Sequence, residues 1–273
     1  MAIRQAAFQV YLAIDLLFNE AAAPLTTARH KLSQRKLQSK THFSEHCHLA
    51  ERLLNAFQNA SSPPVLDSST APSLSSITPL IPTFLVSSTA DAHALYLQRL
   101  FTPSTSALNW AGSLMLQQIC TALASKQSTP ELLEALQSPI DLPSPLNPKW
   151  WWLMAQCIKI LNEYSSKPAL ELLNKSLQPE VAIQVNSLDH PIWGTAYLFH
   201  HASKSTILQD LEHLPVHSIS TGATTLLGML MWLYSPELFP PPWLRQVAVK
   251  RYMTQQAIQT EQQQLRLFED DEG

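Results

Sequence analysis

The run Leu214-Pro-Val-His-Ser-Ile-Ser-Thr-Gly-Ala-Thr-Thr-Leu-Leu-Gly-Met-Leu-Met-Trp-Leu-Tyr-Ser-Pro236 carries no charged side chain. Two structures can hold such a stretch, a membrane span or a helix enclosed by protein. A span needs about 20 mostly apolar residues. Here the continuous apolar part is only Leu226 to Tyr234, and Ser218, Ser220, Thr221, Thr224 and Thr225 crowd its first half. The run therefore predicts a core helix over Thr221–Tyr234, and with it a helical domain large enough to surround one.

Working outward, the flanking segments read as more helix. Downstream, Pro240, Pro241 and Pro242 form a stop, and a last helix starts at Trp243. Apolar periodicity gives out beyond residue 255, so residues 256–273 are expected to fray as a disordered C-terminal tail. Upstream, Ile192 to Ala202 and Thr206 to His213 read as helices, as do Trp150 to Tyr164 and Pro168 to Leu177. Ser128-Thr129-Pro130-Glu131 opens another, with a hydroxyl cap, a proline in the first turn and an acid at the positive end of the helix dipole. Residues 90–101 and 106–125 are apolar and rich in Ala, Leu and Gln. Residues 4–18 place Phe8, Tyr11 and Leu12 on one stripe at the 3.6-residue period, and residues 43–58 repeat it with Leu49, Leu53, Leu54 and Phe57. The Ser/Pro/Thr-rich stretch from Ser61 to Pro79 reads as loop, as does Ser138 to Pro148. No alternating β pattern of useful length occurs. The expectation is one all-α domain over residues 1–255.

Composition narrows the chemistry. The chain has 273 residues, 45% hydrophobic and 14% charged, against roughly 25% charged in an average domain. A large share of it must be interior or interface. Glycine occurs 5 times, where average usage would give about 19. Neither GxGxxG nor GxxxxGK[ST] occurs, which excludes a Rossmann dinucleotide site and a P-loop. The net charge of −3 gives no electrostatic basis for binding nucleic acid. The most basic stretch, Arg29 to Lys40, lacks aromatic residues for base stacking and reads as a solvated face. Cys47, Cys120 and Cys157 are odd in number and show no CxxC, which fits buried thiols in a reducing compartment. Asp15 interrupts the apolar N-terminus, and no small-residue cleavage site follows it, so a signal peptide is not expected. These readings point to the cytoplasm and away from the membrane.

The order of segments from Trp193 to Arg245 resembles the ADP-ribosylglycohydrolase family. The residues are Thr195-Ala-Tyr-Leu-Phe199, the segment Thr206 to Leu214, Ser218-Ile-Ser-Thr221, Gly228-Met-Leu-Met-Trp-Leu-Tyr234 and Phe239-Pro-Pro-Pro-Trp243. Upstream, Trp110 to Leu136 looks like the family's long Ala-rich helix pair, and His48-Leu-Ala-Glu51-Arg-Leu-Leu54 resembles the helix that follows its first acidic motif. The resemblance covers most of the chain and implies a single orthogonal multi-helix domain. It also implies a two-magnesium site that hydrolyses ADP-ribosyl glycosidic bonds. The family's acidic motifs do not survive, however. The first, of the type Thr-Asp-Asp-Thr, falls on Lys40-Thr41-His42-Phe43. The second, Asp-x-Asp-Thr, falls on Ser218-Ile219-Ser220-Thr221, and no Asp or Glu occurs between Glu212 and Glu237. Stripped of carboxylates, such a site loses the charge that compensates ion dehydration. The resemblance thus implies a pseudoenzyme without cofactor, serving as a binding or scaffold protein. Magnesium enters only if the site is rebuilt, and ADP-ribose is the ligand the family would suggest. Two other readings stay open: an active hydrolase with Asp15, Glu20, Glu45 or Glu51 rearranged into one cleft, and a helical interaction module unrelated to that family.

Two further patterns bear on sites. His42-Phe-Ser-Glu-His46 puts two histidines at i and i+4, a spacing that can ligate zinc, but no third ligand is identifiable and exposed histidines at a helix end are the better account. Trp150, Trp151 and Trp152 cover about 300° of a helix at 100° per residue, so all three cannot enter one core. One of them is a candidate for an interface with a protein partner or a second copy. Asp189-His190 reads as a turn or cap before Pro191.

Overall fold

A computed structural model describes residues 2–19, 34, 43–64, 72–86, 90–100, 107–137, 155–157, 159, 188–202, 220–237 and 239–270. Among them are ten α-helices and no strand: α1 (Ala2–Asn19), α2 (Glu45–Gln58), α3 (Leu74–Ile77), α4 (Ile81–Val86), α5 (Ala90–Leu100), α6 (Ala107–Ala124), α7 (Thr129–Gln137), α8 (Pro191–Ala202), α9 (Thr221–Tyr234) and α10 (Pro242–Asp270), with a 3-10 turn at Thr78–Leu80 joining α3 to α4. No helix of the described residues is long and apolar enough to cross a membrane.

The uncharged run forms α9 over the residues its sequence predicts. From Gly222 to Leu230 every residue is buried. A helix apolar all round has no solvent face to offer, so it must be enclosed. α8 and α1 enclose it, together with α3 and α6. α1 is itself buried on all sides from Val10 to Phe18, where the sequence suggests a single stripe. It packs against α9, α10, α4 and α2 and is the axis of the domain. α8 lies between α6 and α9, and α6 carries α5 and α7 on its outer side.

Packing this tight uses the few glycines. A Cβ on Gly222 would sit 2.3 Å from the Ser75 nitrogen and 2.6 Å from the Leu74 carbonyl carbon. The start of α9 therefore touches the backbone of α3 directly.

Three expectations need correction. The Ser/Pro/Thr stretch expected as loop contains α3 and the 3-10 turn. Ser73 caps α3, accepting from the Ser76 N–H at 3.2 Å, and Leu74, Ile77 and Leu80 are buried. Second, α10 continues as helix to Asp270 and does not fray at residue 256. Its sequence there loses the apolar period but keeps strong helix formers such as Gln, Glu, Leu and Arg, with no Gly or Pro. Third, Pro242 is the first residue of α10, where a missing N–H costs nothing. The three cysteines are buried and free. At α7, the Ser128 N–H donates to Glu131 Oε2 at 2.6 Å. Nearly all of Arg29–Lys40, and all of Trp150–Trp152 and Thr206–His213, lie outside the described residues.

Candidate functional site

Asp15 lies on the last turns of α1 and is 2% exposed. A carboxylate there needs partners, and the start of α2 supplies them. The Ser44 N–H donates to Asp15 Oδ2 at 3.1 Å and the Ser44 hydroxyl to Oδ1 at 2.5 Å. Burial raises the Asp15 pKa, and the Ser44 bonds, the Cys47 thiol and the positive charge of His46 pull it back. Burial and the charge of Asp15 in turn push the Cys47 thiol well up. Burial also holds the Tyr11 phenol, one turn earlier on α1, far above its ordinary range, with the Thr78 hydroxyl opposing.

A second aspartate approaches from the other half of the chain. Asp189 precedes α8, and the Ser220 hydroxyl donates to its Oδ1 at 2.5 Å. Ser220 is also the cap of α9, accepting from the Ala223 N–H at 3.1 Å. The Leu74 N–H donates to the Asp189 backbone carbonyl at 2.8 Å, and the Gly222 N–H donates to the Ser75 hydroxyl at 3.2 Å. Burial raises the Asp189 pKa, while the Ser220 hydroxyl, the nearby backbone of Ser75 and Leu74, and His46 lower it. His190 is the cap of α8: its Nδ1 accepts from the Ile192 and Trp193 N–H groups at 3.3 and 3.1 Å. Burial lowers its pKa to about 4. An acceptor Nδ1 must be unprotonated, and the lowered value agrees with that role.

His46, in the first turn of α2, is the residue both aspartates sense. Its Nδ1 is buried with no hydrogen-bond partner among the described residues. The site is thus a buried and a half-buried aspartate, each tied to a serine, with one histidine near both, where the starts of α2, α3 and α9 come together.

The sequence candidates fall on and off this cluster. Ser220 and His46 are in it. Thr221 is exposed at the start of α9, and its carbonyl accepts from the Thr224 hydroxyl. Of the carboxylates named for a rebuilt hydrolase, only Asp15 is in it. Glu45 is exposed, and Glu51 turns to α10, accepting from the Tyr252 hydroxyl at 2.7 Å and Gln256 Nε2 at 3.0 Å. Thr41, His42, Ser218, Glu20 and Trp150, Trp151 and Trp152 lie outside the described residues. Sequence reading assigned Asp189 only a local turn. The turn is there, but nothing local announces partners in Ser220 and Ser75. Ser44 and Ser75 had no signal beyond being serines.

The described donors do not fit a magnesium pair. Both Asp15 oxygens are taken by Ser44, and burial biases both carboxyls toward the neutral form, where a dication needs them ionised. No three His, Cys, Asp or Glu side chains of the described residues gather as a metal-holding group. Compared with known protein families, curated proteins and solved structures, the chain shows no match.

Proposed function

We propose that this protein is a non-catalytic, divergent relative of the ADP-ribosylglycohydrolases that acts as a binding or scaffold protein. One observation carries the reading. Two stretches that the resemblance places at its acidic motifs, the start of α2 beside the first and Ser220 of the second, come together around Asp15 and Asp189. At that meeting point serine hydroxyls and an imidazole stand among the aspartates. A hydroxyl–carboxyl pair can recognise a polar ligand by hydrogen bonds, but it supplies no Lewis acid and no free base aimed at a water.

A second reading, a helical interaction module of unrelated descent, draws on the exposed second half of α10, where Met253 and Ile258 are 63% and 49% exposed.

Titration calorimetry of the full chain with ADP-ribose, with and without Mg²⁺, tests the proposal alongside a turnover assay on an ADP-ribosylated peptide. The expected result is binding indifferent to Mg²⁺, lost in Ser220→Ala, and no turnover. Mg²⁺-dependent release of ADP-ribose would overturn it in favour of a rebuilt hydrolase. Absence of binding would leave the interaction module.

A further inference from the structure

The first turns of α10 and the flank of α1 enclose a groove of about 430 Å³ lined by Gln9, Pro242, Arg245, Gln246, Val249 and Lys250. Arg245 is held in place from below: its Nε donates to the Pro240 carbonyl at 3.0 Å and its Nη2 to the Pro236 carbonyl at 3.3 Å. A guanidinium has five N–H donors, so others remain for an anion. Neither Arg245 nor Lys250 has a carboxylate partner among the described residues. Among the described residues the groove is lined by basic and neutral side chains and by no acid.

The acids are at the other end of the same helix. Charges on the first ten residues of α10 are all positive: Arg245, Lys250 and Arg251. Glu269, Asp270, Asp271 and Glu272 close the chain before Gly273. The helix holds Glu269 and Asp270 well away from its own groove. From Lys250 to Glu269 the helix runs 19 residues, roughly 29 Å at 1.5 Å per residue. A second copy can bring them there. Pro242, Arg245, Gln246 and Val249 share a face at i, i+3, i+4 and i+7, and Met253 extends that face by one more turn. From Met253 to Gln263 all residues are exposed except Gln255 and Gln256, so no helix among the described residues covers this length.

We propose that two copies of the chain pair antiparallel through α10, the acidic end of each helix seating against the Arg245–Lys250 groove of the other. Such a pairing is isologous: one charge match is used twice about a dyad near Gln259. It draws on α10 alone and does not depend on the reading of the Asp15–Asp189 cluster.

Sedimentation velocity on the full chain, across a concentration series, tests it. A dimer is expected at low salt. It should dissociate at about 1 M NaCl, where the Debye length falls to about 3 Å. Lys250→Glu lies on an exposed position and should fold normally, which circular dichroism checks. It is expected to weaken the dimer at least tenfold, about 1.4 kcal/mol. The double variant Asp270→Lys/Asp271→Lys should do the same. Mixed together, the two variants restore both charge matches and should re-form a dimer that neither forms alone. A chain that stays monomeric at every concentration, a dimer indifferent to Lys250→Glu, or no recovery on mixing would overturn the proposal.

Discussion

The two aspartate–serine corners of the site use the same pair of groups in different ways. Asp15 is the more deeply buried, and Ser44 serves it with both backbone and side chain, so Ser44 makes no side-chain cap bond to α2. At the other corner Ser220 divides its hydroxyl between two tasks, donating to Asp189 and accepting from Ala223 at the start of α9. The Asp189 backbone carbonyl meanwhile takes the Leu74 N–H of α3. The first corner is a closed pair. The second is a junction where α3, α8 and α9 are fastened together, so damage there should spread further.

The largest expected effect tests that asymmetry through the backbone. Gly222→Ala pushes a methyl into the Ser75 nitrogen and the Leu74 carbonyl carbon, and main chain cannot rotate away. Overpacking of this kind should cost about 3 kcal/mol. Gly228→Ala meets only the Ile14 side chain, at 2.7 Å, which can yield, and should cost about 1 kcal/mol. Urea denaturation midpoints compare them, and equal losses would mean the α3–α9 contact is no tighter than the rest of the core.

Next in size is the pH response of the second corner. His190 must be neutral to cap α8, and its folded value of about 4 lies below the ordinary 6.5. Its contribution is therefore fully present above pH 6.5 and is lost as pH falls toward 4, about 2 kcal/mol between pH 7 and 5 by linkage. Asp15 and Asp189 act in the opposite sense. Their raised values give a contribution present below the ordinary carboxylate range and lost as pH rises through the folded values. His190→Asn keeps a capping oxygen and should remove only the acid-side loss. Denaturant titrations of both proteins at pH 7 and pH 5 check this, and parallel profiles would show that His190 carries no proton linkage.

The smallest effect compares the serines. Ser220→Ala removes a helix cap and the Asp189 partner together, about 1.5 kcal/mol. In Ser44→Ala the backbone N–H still reaches Asp15, so about 0.5–1 kcal/mol is expected. Guanidinium unfolding would show the order, and a larger loss at Ser44 would reverse the comparison.

What the sequence made legible follows the range of the forces involved. α9 is readable to its ends because its signals are local: an uncharged run, a serine cap at Ser220 and a stop at Ser235-Pro236. α3 was hidden because a four-residue helix has no period, and its capping groups Ser73 and Asp189 are joined to it by folding. Ser220 was legible as a candidate only through the resemblance. Asp189 was legible only as a turn, because its partner Ser220 is 31 residues away and Gly222 joins Ser75 across 147. α10 misled in the other direction. Its second half has no apolar stripe to announce a helix, yet propensity and continuity with a docked first half carry it to Asp270.

α1 has a consequence for how the chain comes to be made. α1 is buried on all sides from Val10 to Phe18, and two of its walls, α9 and α10, come roughly 200 residues or more later in the chain. Phe8 meets the ring of Tyr252 at 5.8 Å, and no contact of that kind can form until roughly 220 residues have followed α1. At about 5–20 residues per second, the part of its apolar surface that α10 covers waits on the order of 10–40 seconds. Such a chain is a natural client for chaperones during synthesis, and a stop codon before α10 would release a product whose central helix lacks one of its walls.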